Sequence, residues 1–267
     1  MLMNAGGRRI HYDDVGPADG PIVCFAHTLS SDSGIWSEQL PPLLAAGWRV
    51  LRLDMRGHGG SDPVAGDYTM SDLAADLVLV LDYLGLAKVH FVGCSIGGMI
   101  GQVLGIEHAT RVHSLMLCGT SPRAVPGGMD MWEARFAAIE AAGSVEPLAD
   151  DTMVRWFTEG YRARRPHRLQ QVRDMVANTT PSGYCAGARA IIAFDILDAL
   201  PSVTAPTLVL CGDEDPGTPP EGNRTIAASI PGARYVEMSP ARHIPMIEHP
   251  DRFNAILMDW LSSQARS

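Results

Sequence analysis

The run Gly93-Cys94-Ser95-Ile96-Gly97-Gly98 has the residue types of a nucleophile elbow. In that motif a serine sits on a sharp strand-to-helix turn, strained enough to leave its hydroxyl exposed. Strand and helix pass close together there, so the flanking positions must be small, and Gly93 and Gly97 meet the demand. Apolar Val89–Val92 precedes the turn and a helix-period run, Ile96–Glu107, follows it. The motif requires that context, whereas an ordinary glycine-rich turn does not. Cys94 offers a thiol instead, but a central Cys94 would put the bulky Val92 and Ile96 at the positions that must be small. The chemistry expected is attack by the Ser95 hydroxyl on a carbonyl carbon.

Serine is a poor nucleophile until a base takes its proton and a third group holds that base in the right tautomer. In the chain order nucleophile, acid, histidine, the acid should follow a later strand. The apolar run Thr207–Cys211 leads into Gly212-Asp213-Glu214-Asp215-Pro216, where three carboxylates compete. The next strand candidate leads into Ser239-Pro240-Ala241-Arg242-His243, which makes His243 the candidate base. His58, His90, His108, His167 and His249 have no acid and nucleophile in matching order. An oxyanion hole needs two backbone N–H donors. Ile96, directly after Ser95, supplies one, and the loop His27-Thr28-Leu29-Ser30 supplies the other, with Leu29 ahead of Thr28.

These groups need a scaffold that brings strand ends to one edge. Short apolar runs at Arg8–Asp13, Pro21–Ala26, Arg49–Leu53, Val89–Gly93, Val112–Cys118, Thr207–Cys211 and Arg234–Met238 read as strands. Between them Ile35–Ala46, Ser71–Leu84 with Ser71 as N-cap, Ile96–Glu107, Glu221–Ser229 and Pro250–Ser263 read as helices. Such alternation predicts an α/β fold with a mostly parallel sheet covered by helices. One stretch breaks it. Residues 125–203 carry only helical segments: Met131–Ala142, Val145–Phe157, Arg168–Asn178 and Gly183–Phe194. They are expected to form a cap inserted into a single domain whose core is residues 1–124 and 204–267, lying where open α/β sheets bind ligands.

Composition narrows the partners. The 267 residues carry a net charge of −9, so no basic field exists to hold nucleic acid. No apolar run is long enough to span a membrane, and Met1–Ile10 lacks the apolar stretch of a signal peptide. Five cysteines without a Cys-x-x-Cys pair read as reduced thiols in a cytoplasmic protein. Nine histidines lack ligand spacing, so neither a metal nor another cofactor is expected. A small molecule is the expected partner, and both monomer and homodimer stay open. Within residues 125–200, eight arginines face ten carboxylates, so the cap is no basic funnel. Arg162, Arg164, Arg165 and Arg168 read as a solvated face, while Arg135 near Trp132 is the cation an acidic substrate would favour.

Taken together, these residues resemble the α/β-hydrolase family along essentially the whole chain. The group most similar is the 3-oxoadipate enol-lactonase-like hydrolases. The likeness rests on Gly93–Gln102, on the loop Leu53–Ser61, on Val154-Arg155-Trp156-Phe157-Thr158 and on Gly212–Pro219. It implies Asp215 as the acid, His243 as the base, and Trp156 and Thr28 as pocket residues. Thr28 and Arg242 stand where relatives often have glycine, which alters the loops around the oxyanion hole. The implied reaction is ester or lactone hydrolysis through an acyl-enzyme. A C–C hydrolase or a perhydrolase would keep the same triad, and a cofactor-free dioxygenase would not need Ser95. A non-catalytic binding module would need none of the three. Dehalogenase and epoxide hydrolase chemistry would require aspartate in place of Ser95.

Overall fold

The computed structural model describes residues 1–124 and 128–264. Its strands are β1 (Leu2–Ala5), β2 (Arg8–Val15), β3 (Ile22–Ala26), β4 (Arg49–Leu53), β5 (Val89–Cys94), β6 (Val112–Cys118), β7 (Thr207–Gly212) and β8 (Arg234–Met238). They form one sheet in the order β1-β2-β4-β3-β5-β6-β7-β8. The six strands from β4 to β8 run parallel, and β1 and β2 complete one edge antiparallel. β3, β5 and β7 are buried along their whole length, which explains why their sequences are near-continuous apolar runs rather than alternating ones. The strands at Arg49, Val112 and Arg234 have the bounds expected from sequence. β1 was not foreseen, because four residues with one buried side chain, Met3, leave almost no pattern.

Flanking helices are α1 (Leu40–Ala45), α2 (Met70–Tyr83), α3 (Ile96–Glu107), α9 (Pro220–Ser229), α10 (Pro245–Glu248) and α11 (Pro250–Gln264). Between β6 and β7 lie α4 (Met129–Ala142), α5 (Ala149–Trp156), α6 (Glu159–Arg164), α7 (Pro166–Asn178) and α8 (Pro181–Ile192). The expected start of this segment at Val125 lies outside the described residues. Two expectations need correcting. The N-cap of α2 is Thr69, not Ser71: its hydroxyl accepts from the Asp72 N–H while the Asp72 carboxylate accepts from the Thr69 N–H. Ser71 instead donates its hydroxyl to Glu107. The single helix expected over Ile35–Ala46 is a 3₁₀ stretch, Ser33–Gln39, followed by α1, whose Pro41 and Pro42 lack the N–H groups to continue an α-helix from before them.

Register carries the fold toward function. Cys94 pairs with Cys118, Cys118 with Leu210, and Gly212 with Met238. The carboxyl ends of β5, β6, β7 and β8 therefore share one edge, and the residues just beyond them meet there.

Candidate active site

Ser95 follows β5 with φ 59° and ψ −119°. Among the described residues only Ser95 and Ser30 are non-glycine residues with positive φ. Such a conformation costs on the order of 1–3 kcal/mol, and packing must hold it. The packing is visible at the two flanking glycines. A Cβ on Gly93 would lie 2.1 Å from the Gly97 carbonyl oxygen, and one on Gly97 would lie 2.4 Å from that of Ala26. Ser95 N–H donates to Cys118 O (2.9 Å), and the Thr120 hydroxyl donates to Ser95 O (2.7 Å). The Ser95 side chain hydrogen-bonds no protein group among the described residues, and the residue keeps 9% exposure.

Of the three competing carboxylates, Asp215 is the one that reaches His243, with Nδ1 to Oδ2 at 2.8 Å. Gly217 N–H (2.8 Å) and Thr218 N–H (3.0 Å) donate to its Oδ1, and the Thr218 hydroxyl donates to Oδ2 (2.8 Å). With these three donors around it the carboxylate is held as an acceptor, so His243 carries its proton on Nδ1 and leaves Nε2 as the basic nitrogen. Asp213 turns the other way and accepts from the Ser239 hydroxyl and the Ala241 N–H, which shapes the loop that carries His243. Despite opposing burial, those bonds keep Asp213 below the usual carboxylate range. Glu214 is exposed and stands 3.7 Å from the Arg242 guanidinium.

A hydrogen-bond chain joins the acid loop to the elbow. Asn223 donates to Thr218 O (2.9 Å) and accepts from Thr120 N–H (3.0 Å), and Thr120 donates to Ser95 O. No sequence motif announced Thr120 or Asn223, whose bond to each other spans 103 positions. Cys94 faces away from this chemistry: its buried thiol donates to His243 O (3.6 Å), and burial raises its pKa well above the ordinary value. A thiolate nucleophile is disfavoured there.

The Ile96 and Leu29 N–H groups find no protein acceptor among the described residues, whereas Ser30 N–H and Ser31 N–H are both taken. Thr28 N–H is likewise without one, and the Thr28 side chain is turned into its own loop, against the Ser31 hydroxyl at 2.9 Å. Two buried histidines fix this loop. His27 holds Thr28 O through Nδ1 (2.8 Å) and accepts Met55 N–H at Nε2 (2.9 Å). His58 holds Arg56 O through Nδ1 (2.9 Å) and accepts Ser30 N–H at Nε2 (3.1 Å). Each uses one donor and one acceptor and is therefore neutral. The excluded catalytic role of His58 is thus replaced by a structural one, whose partner Ser30 could not be read from sequence.

Burial first, and His27 second, push His58 down to about 3, while burial also lowers His27. Below the ordinary histidine value of about 6.5 the unfolded chain binds a proton that the native His58 refuses. Stability is therefore lost as pH falls from about 6.5 toward 3, at about 1.4 kcal/mol per pH unit for one such histidine. Thermal melts from pH 7.5 to 4 should show a steep acid fall in Tm, and His58→Asn should start lower but fall less steeply. Parallel curves for the two proteins would contradict this assignment.

The helical segment closes over the same edge. A Cβ on Gly187 of α8 would lie 2.7 Å from a Leu29 methyl and 3.7 Å from one of Ile96. Trp156, at the end of α5, places its ring 6.0 Å from that of His243. Arg135 lies over Trp132 at 4.8 Å, and it neighbours Arg155 and the buried Tyr184, one turn of α8 before Gly187. Burial first, then the charge of Arg135, hold Arg155 below the usual arginine range. Neither arginine pairs with a carboxylate among the described residues; Arg155 donates to the Thr152 hydroxyl. Arg168 does not belong to a solvated face. It pairs with Glu38 (2.7 Å) and donates to Gly34 O, tying α7 to the core.

Among the described residues no helix is long and apolar enough to cross a membrane. A family model described as alpha/beta hydrolase fold matches residues 21–250. The chain is 31% identical over 263 residues to 3-oxoadipate enol-lactonase 1 of Acinetobacter baylyi, covering 98% of this chain and 97% of the relative. Among solved structures it superposes on the enol-lactonase of Burkholderia xenovorans with a TM-score of 0.93 at 34% identity, over 98% of this chain and 100% of that one. A malate-bound thermophilic esterase from Thermogutta terrifontis gives a TM-score of 0.89 at 28% identity, with 98% and 97% covered. Fold, strand-end site and relatives agree: the chain belongs to the α/β-hydrolase family.

Proposed function

We propose that this protein is a serine hydrolase that cleaves carboxylic esters or lactones, with a carboxylate-bearing enol-lactone as the preferred class. The observation that carries the proposal is the strained Ser95 at the same sheet edge as a histidine whose Nδ1 is fixed by Asp215. In this reading His243 Nε2 takes the Ser95 proton as Oγ attacks the carbonyl carbon, and the imidazolium formed is stabilised by Asp215. The Leu29 and Ile96 amides bind the oxyanion of the tetrahedral intermediate. His243 then protonates the leaving alkoxide or enolate, leaving an acyl group on Ser95. Water deprotonated by the same histidine releases the acid. No step calls on a cofactor.

Residues 128–203 act in this reading as a cap that excludes water, with Trp156 against His243 and Gly187 against Leu29. Arg135 and Arg155, two half-buried cations without a carboxylate partner among the described residues, would receive an acidic group on the substrate in this reading. The likeness to enol-lactonases supports the same class.

The test compares kcat/KM for a neutral para-nitrophenyl short-chain ester with that for an enol-lactone bearing a carboxylate. Both should turn over, the lactone faster. Arg155→Met should raise KM for the lactone roughly tenfold or more while leaving the neutral ester nearly unchanged, because a charge-assisted bond is lost only with the anion. Absence of hydrolysis of either substrate would overturn the proposal, and equal effects on both would overturn the role of Arg155.

A further inference from the structure

We infer that Arg242, with Glu248, forms a clasp between the cap and the loop of His243, and that the clasp is a positioning device for the imidazole. The inference rests on the function proposed above. It starts from two ties that bracket Trp156. On one side the Arg242 guanidinium donates to Val154 O, in the last turn of α5, where carbonyls lack helical partners and a cation is favoured. On the other side the Glu248 carboxylate accepts from the Thr158 N–H (2.8 Å) and the Thr158 hydroxyl, at the start of α6. Trp156 lies midway between these two ties, with its ring 6.0 Å from the His243 ring at an angle of 34°.

The same two residues close the histidine loop from within. The second oxygen of Glu248 accepts the Arg242 N–H at 2.8 Å, so α10 folds back on the residue just before His243. Glu248 is buried at 5% exposure and has no cationic partner among the described residues, so these bonds are what satisfy its charge. Cap and catalytic loop thus share one buried carboxylate and one arginine. Neither residue touches the reacting atoms. Their effect passes through Trp156, which fixes the face of the imidazole and keeps water from it.

Double-mutant kinetics on a para-nitrophenyl short-chain ester test this directly. Arg242→Met should lower kcat roughly tenfold with little change in KM, because orientation of the base is felt in the transition state. Trp156→Ala should have a similar effect. The double variant should be no slower than the slower single one, since both act through the same contact. Arg242→Lys, which keeps a cationic donor for Val154 O, should recover most of kcat. Additive losses in the double variant would overturn the clasp, as would an unchanged kcat for Arg242→Met with only Tm lowered. A wild-type protein without esterase activity would instead overturn the function on which the clasp rests.

Discussion

Ser95→Ala should leave a folded protein whose ester hydrolysis has fallen by at least ~10³-fold, because a triad acts as a unit and loses nearly everything when its nucleophile goes. The expectation of an intact fold has its own basis. The Ser95 hydroxyl bonds no protein group among the described residues, so its removal strands no buried partner. The backbone bonds from Ser95 N–H to Cys118 O and from Thr120 to Ser95 O survive the change. The check is kcat with Tm measured on the same preparation. Near-normal kcat would remove Ser95 from the chemistry and favour a reaction carried by His243 and Asp215 alone.

Asp215→Asn should cost about 10⁴-fold in kcat, the loss seen when the acid of an analogous triad becomes an amide. The geometry explains why the amide cannot compensate by turning over. Gly217 N–H and Thr218 N–H both donate to Oδ1, so an asparagine must keep its oxygen there. Its NH₂ then takes the place of Oδ2, 2.8 Å from His243 Nδ1, and donates where a carboxylate accepted. The imidazole is pushed into the tautomer with its proton on Nε2, which cannot accept the serine proton. Asp213→Asn should be far milder, since Asp213 holds only Ser239 and Ala241 and an amide oxygen can still accept. Glu214→Gln should be close to silent. Kinetics of the three variants, each checked by circular dichroism, decide the matter. A crippled Asp213→Asn beside a nearly normal Asp215→Asn would contradict the assignment.

What could be read from the sequence follows a physical boundary. The parallel strands were legible because burial on both faces writes itself as an unbroken apolar run, as in Ile22–Ala26. Ser95 and His243 stood out because each lies just past a strand end in a small or turn-forming setting, whereas position alone left Asp215 level with Asp213 and Glu214 and only the family resemblance singled it out. The cap of α2 was misplaced on Ser71 although the signal existed: Thr69 and Asp72 have the three-residue spacing of a capping box. Helices of residues 128–203 were found by period, but their bounds moved. Val145–Phe157 divides into a 3₁₀ turn at Glu146–Leu148 and α5, since Pro147 prevents an α-helix from running through it.

Contacts between distant segments left no trace. His58 meets Ser30, Asn223 meets Thr120, and Glu248 meets Thr158 across 28, 103 and 90 positions. Each rests on one or two polar bonds with no repeating spacing to betray it. The solvated-face reading of Arg168 failed for the same reason, since its partner Glu38 is 130 residues away. Local patterns reveal elements and the residues at their ends. They do not reveal what holds those ends in register.

The central claim is that Ser95 is the nucleophile of an acyl-enzyme, and covalent trapping tests it most directly. The protein is treated with a fluorophosphonate, which loses fluoride to an activated serine, and the modified residue is located by peptide mass spectrometry. The account predicts one adduct, on the peptide containing Ser95, formed in step with loss of ester hydrolysis and absent from Ser95→Ala. An unlabelled Ser95 in a fully inactivated protein, or an adduct on Cys94 in its place, would contradict it.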